Sequence, residues 1–434
     1  MKFENSIKKN QILINFLKDS IEDNDLKDLI QCVEGDFTIY SGTYAQLRPI
    51  RFLFHLIKSF FFISKYELNI NNNKIKSDHK ISTVITTNHL YKENLEPLIN
   101  KLLNRNFSVS HLRINYLNAF SLARFLKFKR NTFSIINFFI KNTSLINYNN
   151  LIYLIYIKYV MLINAKRLVK FLKKNMPDDS KLYLSAEVCD IFSRSAALAC
   201  KYNKKKFFLF QCGPLSIDTN LEIDSILCDE FIAWQSSKEF FKKKNNLNKI
   251  NIKKVSYFQP LRFLKQNETK EVIYDIVIFL TWLNFSSPTE SINNQLNLIL
   301  KHLKKRDMIS IFLKMHPHTD KSQEKYLFDN YSDYDFISND ENAIDIINKS
   351  KMVFNFGSTI CFDSNNANVK TGLINFDNHI SSDHDFFKLP AVKNIQSLED
   401  LDFFVDDFEI ETNQISKKDF RLVDYIEKAS YLNS

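Results

Sequence analysis

Hydrophobic and polar positions along this 434-residue chain follow two rhythms that trade places repeatedly. Short apolar runs rich in Val, Ile and Phe read as buried strands, and longer segments with an apolar residue every third or fourth position read as helices. The first strand predicted is "ISTVITT" (81–87), followed by a helix in "KENLEPLINKLLNRN" and a second strand in "FSVSHLRI". Strand, helix, strand is the signal of a parallel βαβ unit. After a long basic stretch the pattern returns with "KLYLSA" (181–186), helix "VCDIFSRSAALACKYN" and strand "KFFLFQCG". Strand "EFIAW" (230–234), a Lys-rich helix and strand "IKKVSYFQP" (252–260) close this series.

A second series begins at "YDIVIFLTW" (274–282) and continues through strands in "SIFLKMHP", "YDFIS", "KMVFNF" and "KTGLINFD", each separated from the next by a helical segment. The prediction is an α/β protein of two Rossmann-like, doubly wound lobes. Residues 76–262 form the first lobe, which carries a basic helical block, and 263–396 the second. Residues 1–75 read as a helical N-terminal extension broken around Gly35, Gly42 and Pro49, with a last helix at 52–64 and a polar linker from Asn69. Residues 397–434 read as a helical tail, whose helix "SKKDFRLVDYIEKASYL" crosses back to the first lobe.

Composition sharpens this picture in two places. Apolar residues make up 45% of the chain, enough for two cores and too many for wholesale disorder. Asn, Lys, Ile and Phe are abundant while glycines number only 5, the bias of an AT-rich coding sequence, so single Asn and Lys residues say little and each glycine says more. Six scattered cysteines (32, 189, 200, 212, 228, 361) form no CxxC pair or zinc spacing and read as reduced thiols. The N-terminus "MKFENSIKKNQ" lacks the apolar core of a secretory signal, and no apolar run reaches the ~20 residues of a membrane span.

Charge is distributed unevenly. Between Pro97 and Pro177, 81 residues contain no Asp or Glu but 14 Lys and Arg, interleaved with aromatic and aliphatic residues. From Asp320 onward, 22 acidic residues face 11 basic ones, a net of −11. An acid-free stretch of this length predicts a lobe that meets an anionic membrane surface. Nucleic acid is not the expected partner, because the chain has no zinc finger, RNP-like aromatic signature or Arg-rich arm. The expected location is the cytoplasm, peripheral on the inner face of the cytoplasmic membrane.

Ligands of doubly wound sheets bind at the carboxyl ends of the strands, so candidate chemistry is sought there. In the second lobe Lys314 and His316-Pro317 end one strand, and His can donate to a phosphate or protonate a leaving one. In "NFGSTICFD", Gly357 is followed by Ser358 and Thr359 at a helix start, a pattern suited to an anion, with Asp363 one turn on as an acceptor for ribose hydroxyls. Lys370 precedes the next strand. In the first lobe the candidates are His89 after the first strand, Glu187 after "KLYLSA", and Gln211 with Gly213-Pro214 after "KFFLF".

The order of these pieces resembles bacterial glycosyltransferases of the GT-B fold, in particular the capsule and surface-polysaccharide group that includes Kdo and sialic acid transferases and the CDP-glycerol transferases. In that group a Lys-x-His-Pro segment precedes a Ser-Ser or Ser-Thr helix start, an acidic residue and a Lys-Pro pair. Here these are Lys314 with His316-Pro317, Ser358-Thr359, Asp363 and Lys370. The first lobe of the group ends a strand in Gln-His-Gly, here Gln211-Cys212-Gly213, so Cys212 stands in place of His and Thr371 in place of Pro. The paired carboxylate-plus-Gly motif of bacterial sialyltransferases has no counterpart, since Glu34-Gly35-Asp36 differs in order and context.

The resemblance implies inverting, metal-independent transfer of a sugar from a nucleotide donor to a surface glycan or lipid-linked acceptor, with no separate cofactor. Lys314, Ser358 and Thr359 would hold phosphate, Asp363 the ribose, and His316 the departing phosphate, while His89 or Glu187 deprotonates the acceptor. A CMP-activated nonulosonate or Kdo is the donor expected first, and a CDP- or UDP-linked sugar second. A non-enzymatic alternative is a membrane-peripheral binding protein that keeps an inactive GT-B fold. With glycines only at 35, 42, 213, 357 and 372, neither GxGxxG nor a P-loop can occur. "NHISSDHDFF", with His379, Asp383, His384 and Asp385, matches no metal-ligand spacing and reads as a polar loop.

Overall fold

In the computed structural model the apolar runs become strands of two separate sheets. The structure describes residues 29–30, 62–72, 80–86, 91–120, 161–187, 190–213, 226–246, 252, 254–258, 271–280, 289–306, 309–316, 319, 321–338, 340–378, 380, 384–410 and 421–431. Two compact units partition the chain: unit 1 (Met1–Cys212, Asp218–Arg262 and Phe420–Ser434) and unit 2 (Gly213–Ile217 and Phe263–Asp419).

Unit 1 holds strands β1 (Phe62–Asn72), β2 (Lys80–Ile85), β3 (Ser108–Phe120), β4 (Leu182–Ser185), β5 (Lys206–Phe210), β6 (Glu230–Trp234) and β7 (Val255–Phe258). They lie in the order β1-β3-β2-β4-β5-β6-β7, and every pair is parallel except β1–β3. The central strands are near-continuous apolar runs because helices cover both of their faces. Those helices are α1 (Glu96–Leu103), α2 (Leu162–Asn175), α3 (Ile191–Tyr202) and α4 (Lys238–Asn246). On α2 the buried positions Leu162, Ala165, Leu168, Val169 and Leu172 recur at helical spacing, which leaves an outer face of opposite character.

Unit 2 holds β8 (Tyr274–Phe279), β9 (Ile311–Lys314), β10 (Asp335–Ile337), β11 (Ser350–Asn355), β12 (Lys370–Ile374) and β13 (Val392–Ile395). All pairs are parallel, in the order β10-β9-β8-β11-β12-β13. Its helices are α5 (Thr289–Leu303), α6 (Lys321–Asn330), α7 (Ala343–Asn348), α8 (Ile360–Ala367) and α9 (Leu398–Asp406). Gly372 lies opposite Phe354, and a Cβ there would meet the Phe354 ring at 2.4 Å, so the close approach of β12 to that ring requires glycine. The last helix, α10 (Arg421–Tyr431), belongs to unit 1, as expected of a helix that crosses back. Arg105 pairs with Asp424 and Glu427, each at 2.6 Å, and the Tyr425 hydroxyl donates to buried Glu230 at 2.6 Å.

Three expectations need correction. Residues 62–72 are a strand and not part of a helical extension: from Lys65 onward polar and apolar residues alternate with period two, and all eleven positions find antiparallel partners in β3. β3 itself runs to Phe120, into the stretch expected to be a helical block. The boundary expected at 396 falls inside unit 2, because Leu401 and Phe404 of α9 are buried in the same core as Phe354. Apart from residues 29–30, the rest of the expected N-terminal extension and most of the basic block lie outside the described residues. Among the described residues no helix is long and apolar enough to cross a membrane.

Candidate functional site

Numbered within unit 2, its strands run 3-2-1-4-5-6, so the order reverses between β8 and β11. The carboxyl ends at such a switch point open a crevice, because the crossovers on either side leave to opposite faces of the sheet. β11 exits here through Asn355, Phe356, Gly357 and Ser358, and β9 exits two places away through Lys314, Met315 and His316. The Leu280 N–H bonds to the Lys314 carbonyl at 2.9 Å, which keeps the β8 and β9 exits paired up to the rim.

Asn355 organises the β11 exit. Its side chain is fully buried, and Oδ1 accepts from the N–H groups of both Gly357 and Ser358 at 3.0 Å. Nδ2 lies 3.3 Å from the buried Cys361 sulfur. Gly357 takes φ +98, a conformation that suits glycine, and a Cβ would approach Ile380 Cδ1 to 3.0 Å. Ser358 Oγ accepts from the Ile360 N–H at 3.4 Å, and Thr359 opens α8. The Gly357 and Ser358 N–H groups are thus already engaged, while the Ser358 hydroxyl keeps its proton to donate and the Thr359 side chain makes no capping bond. One strand over, buried Asn375 does the same work: its Oδ1 accepts from the Ile380 N–H at 2.9 Å, and its Nδ2 donates to the Ile380 carbonyl at 3.3 Å. Each amide fixes its own loop, and Ile380 packs one loop against the other.

The predicted residues separate into three groups. Gly357, Ser358, Thr359 and Asp363, half-buried in the first turn of α8, share the β11 exit, and His316 is at the β9 exit. Lys314 is at the same exit, but its buried ammonium donates to the Ser338 carbonyl at 2.6 Å beyond β10, on the side away from the switch point. Burial lowers its pKa, opposed by Glu341 and Asp340. Lys370 is brought to a different place. It is the first residue of β12, paired with Met352 three positions before Asn355, so it begins about 10 Å away at the amino-terminal rim of the sheet. A strand's two ends are a sequence neighbourhood apart in print but face opposite rims in the fold. Pro317 lies outside the described residues.

Unit 1 has its own reversal. Its parallel strands run 2-1-3-4-5-6, with the switch between β2 and β4. Glu187, 9% exposed, follows β4, and its N–H donates to Ser185 Oγ at 3.2 Å. Asp190 caps α3: Oδ1 accepts from Phe192 N–H at 2.8 Å and Oδ2 from Ser193 N–H at 3.3 Å. Burial pushes the Asp190 carboxyl up to about 6, with Glu187 adding to the rise and the N–H bonds opposing it. Asp190 carries no expectation from the sequence, although an acid in the first turn of the predicted helix, three residues after Glu187, is a usable signal. His89 lies outside the described residues.

Gln211 proves to be a scaffold residue. It is buried, its Oε1 accepts from Trp234 N–H at 2.8 Å, and its Nε2 donates to Ser237 Oγ at 2.9 Å, tying the β5 exit to the β6 exit. Gly213 follows it with no atom within 4 Å of a notional Cβ. Among the described residues no group of His, Cys, Asp or Glu could hold a metal ion. His384 Nδ1 accepts from Phe386 N–H, and buried Asp385 pairs with Lys388 at 3.0 Å; His379 and Asp383 lie outside the described residues.

No family model matches the sequence, and no curated protein sequence matches it. Solved structures do. The UDP-GlcNAc 2-epimerase of Methanocaldococcus jannaschii, in complex with UDP-GlcNAc and UDP, superposes with a TM-score of 0.53 at 13% identity, over 80% of this chain and 99% of that one. The fold is GT-B. S. aureus MnaA with UDP (TM-score 0.48, 11% identity, 76% of this chain and 88% of that one) and the wall teichoic acid polymerase TagF (0.42, 11%, 83% and 89%) are more distant and add no weight. At these identities the likeness is one of fold alone.

Proposed function

We propose that this chain is a nucleotide-sugar glycosyltransferase whose donor phosphate is held at the β11 exit of unit 2. The observation that carries the reading is the Asn355-ordered turn Gly357–Thr359 at the switch point of that sheet. The Ser358 and Thr359 hydroxyls and the first turn of α8 meet the phosphate, Asp363 accepts from ribose hydroxyls, and His316 donates to the departing phosphate. Lys314 is assigned to holding the β10 exit, and Lys370 is left out of the site. The acceptor oxygen attacks the anomeric carbon, the bond to phosphate breaks with its electrons going to the phosphate oxygen, and the acceptor proton goes to a general base. Inversion at the anomeric carbon and independence from metal belong to the same reading.

For the donor we place a UDP-linked sugar ahead of the CMP-activated nonulosonate or Kdo expected from the sequence. The support is that the epimerase of the same fold is complexed with UDP-GlcNAc and UDP. That likeness also favours a second reading, epimerisation of a nucleotide sugar, in which no acceptor is needed. Incubation of the purified chain with UDP-, CDP- and CMP-sugars, with and without a glycan or lipid-linked acceptor and with EDTA, separates the readings. Transfer to acceptor with UDP release supports the first; an epimeric nucleotide sugar formed without acceptor supports the second. Tighter binding of CMP than of UDP would restore the original donor, and no binding of any nucleotide would overturn both.

A further inference from the structure

Helix α2 presents a face that sugar transfer does not use. Its inner side packs against α3, and its outer side carries Lys166, Arg167, Lys170, Lys173 and Lys174, all exposed, together with Ile163, 41% exposed. Among the described residues none of these five cations pairs with a carboxylate, and the whole stretch from Pro97 to Pro177 offers no acid that could. The end of α3 extends the same surface. Asn203 Nδ2 donates to the Lys173 carbonyl at 3.0 Å, Lys173 Nζ sits 5.6 Å from the centre of the Tyr202 ring, and Tyr202 and Lys204 are exposed beside it.

A solvated helix face ordinarily mixes the two signs, because like charges one turn apart repel. Lys166, Lys170 and Lys174 are spaced one turn apart with nothing between them to offset that repulsion. From Ile163 to Lys174 the stripe is about 16 Å long. Lysine stems, Ile163 and the Tyr202 ring supply apolar contact between the charges, which suits the boundary of headgroups and acyl chains. Four of the five cations are Lys, which lacks the bidentate fork that favours Arg in nucleic-acid recognition.

We propose that the outer face of α2, with Tyr202 and Lys204 beside its end, docks on an anionic phospholipid bilayer. The proposal narrows the charge asymmetry of the sequence to one helix face, and it does not rest on the donor or on transfer. The test is flotation of the full chain with phosphatidylcholine vesicles and with vesicles containing phosphatidylglycerol, over a range of salt. Wild type should float only with the anionic vesicles, and less so as salt rises. The variant Lys166→Gln/Lys170→Gln/Lys173→Gln, checked for an unchanged melting curve, should partition about a hundredfold more weakly. A charge-matched control on exposed lysines of unit 2, Lys301→Gln/Lys305→Gln/Lys325→Gln, should float like wild type. Equal recovery with neutral vesicles, equal loss in the control, or displacement from vesicles by duplex RNA at equal phosphate concentration would overturn it. Should the triple variant melt early, Ile163→Ser alone is expected to weaken partition several-fold, and no change in it would count as refutation.

Discussion

Replacing Asn355 with Ala removes the acceptor shared by the Gly357 and Ser358 N–H groups, each bonded at 3.0 Å, without touching any group proposed to meet phosphate. A typical hydrogen bond contributes ~1 kcal/mol net, so two of them, together with the lost packing of a buried side chain, come to roughly 2 to 3 kcal/mol. For a unit of this size 1 kcal/mol shifts the melting temperature by about 2 to 4 °C, so a fall of roughly 5 to 10 °C is expected by scanning fluorimetry. The turn also loses the anchor that holds Gly357 at φ +98, so binding must order it anew. UDP affinity measured by calorimetry should fall about tenfold if that ordering costs about 1.4 kcal/mol. Asn355→Asp separates the two effects. It keeps an acceptor for both N–H groups but places a carboxyl beneath the anion site, so it should melt closer to wild type than the Ala variant and still bind UDP poorly. An Ala variant with wild-type melting and wild-type affinity would refute the claim that this amide builds the site.

Two further outcomes test the electrostatics. Asp190 is held at about 6, above its ordinary value, so its protonated form favours the fold: that contribution is complete below pH ~4 and lost as pH rises through 6. Asn can cap α3 in its place, so from pH 4 to 7.5 wild type should lose roughly 2 to 3 kcal/mol more stability than Asp190→Asn in urea melts; parallel curves would show that the carboxyl is not buried as described. Lys314→Met removes the bond to the Ser338 carbonyl. UDP affinity should stay within about twofold, whereas a loss beyond tenfold, the scale of a charge-assisted contact, would return the ammonium to the phosphate.

The strands of both units were legible because parallel strands covered on both faces read as uninterrupted apolar runs, and the helices between them fixed their direction. β1 was not, because the run Phe60-Phe61-Phe62-Ile63 hides the period-two alternation that starts beside it. At the site, Gly357 stood out since glycine is rare in this chain. Asn355 and Asn375 did not, for the opposite reason: in a sequence crowded with asparagine, two that staple loops look like all the others. Lys370 was misplaced because a linear motif does not say which rim of the sheet a residue reaches. Asp190 needed the fold to bring Glu187 and burial together around it.

The docking of α10 has a consequence for the order of synthesis. The strands of unit 1 leave the ribosome before unit 2, but its helix α10 is made after the whole of unit 2. At about 5 to 20 residues per second, the interval between Arg262 and Phe420 lasts roughly 10 to 30 s. Throughout it Glu230, 3% exposed in the finished protein, lacks Tyr425, and Arg105 lacks both of its acids. Unit 2, continuous but for the short piece Gly213–Ile217, has no such wait and can close while the chain is still being extended. A nascent chain interrupted just before residue 421 would therefore carry a finished second unit and an unlatched first one, the half that emerged earliest being the one left exposed to proteases.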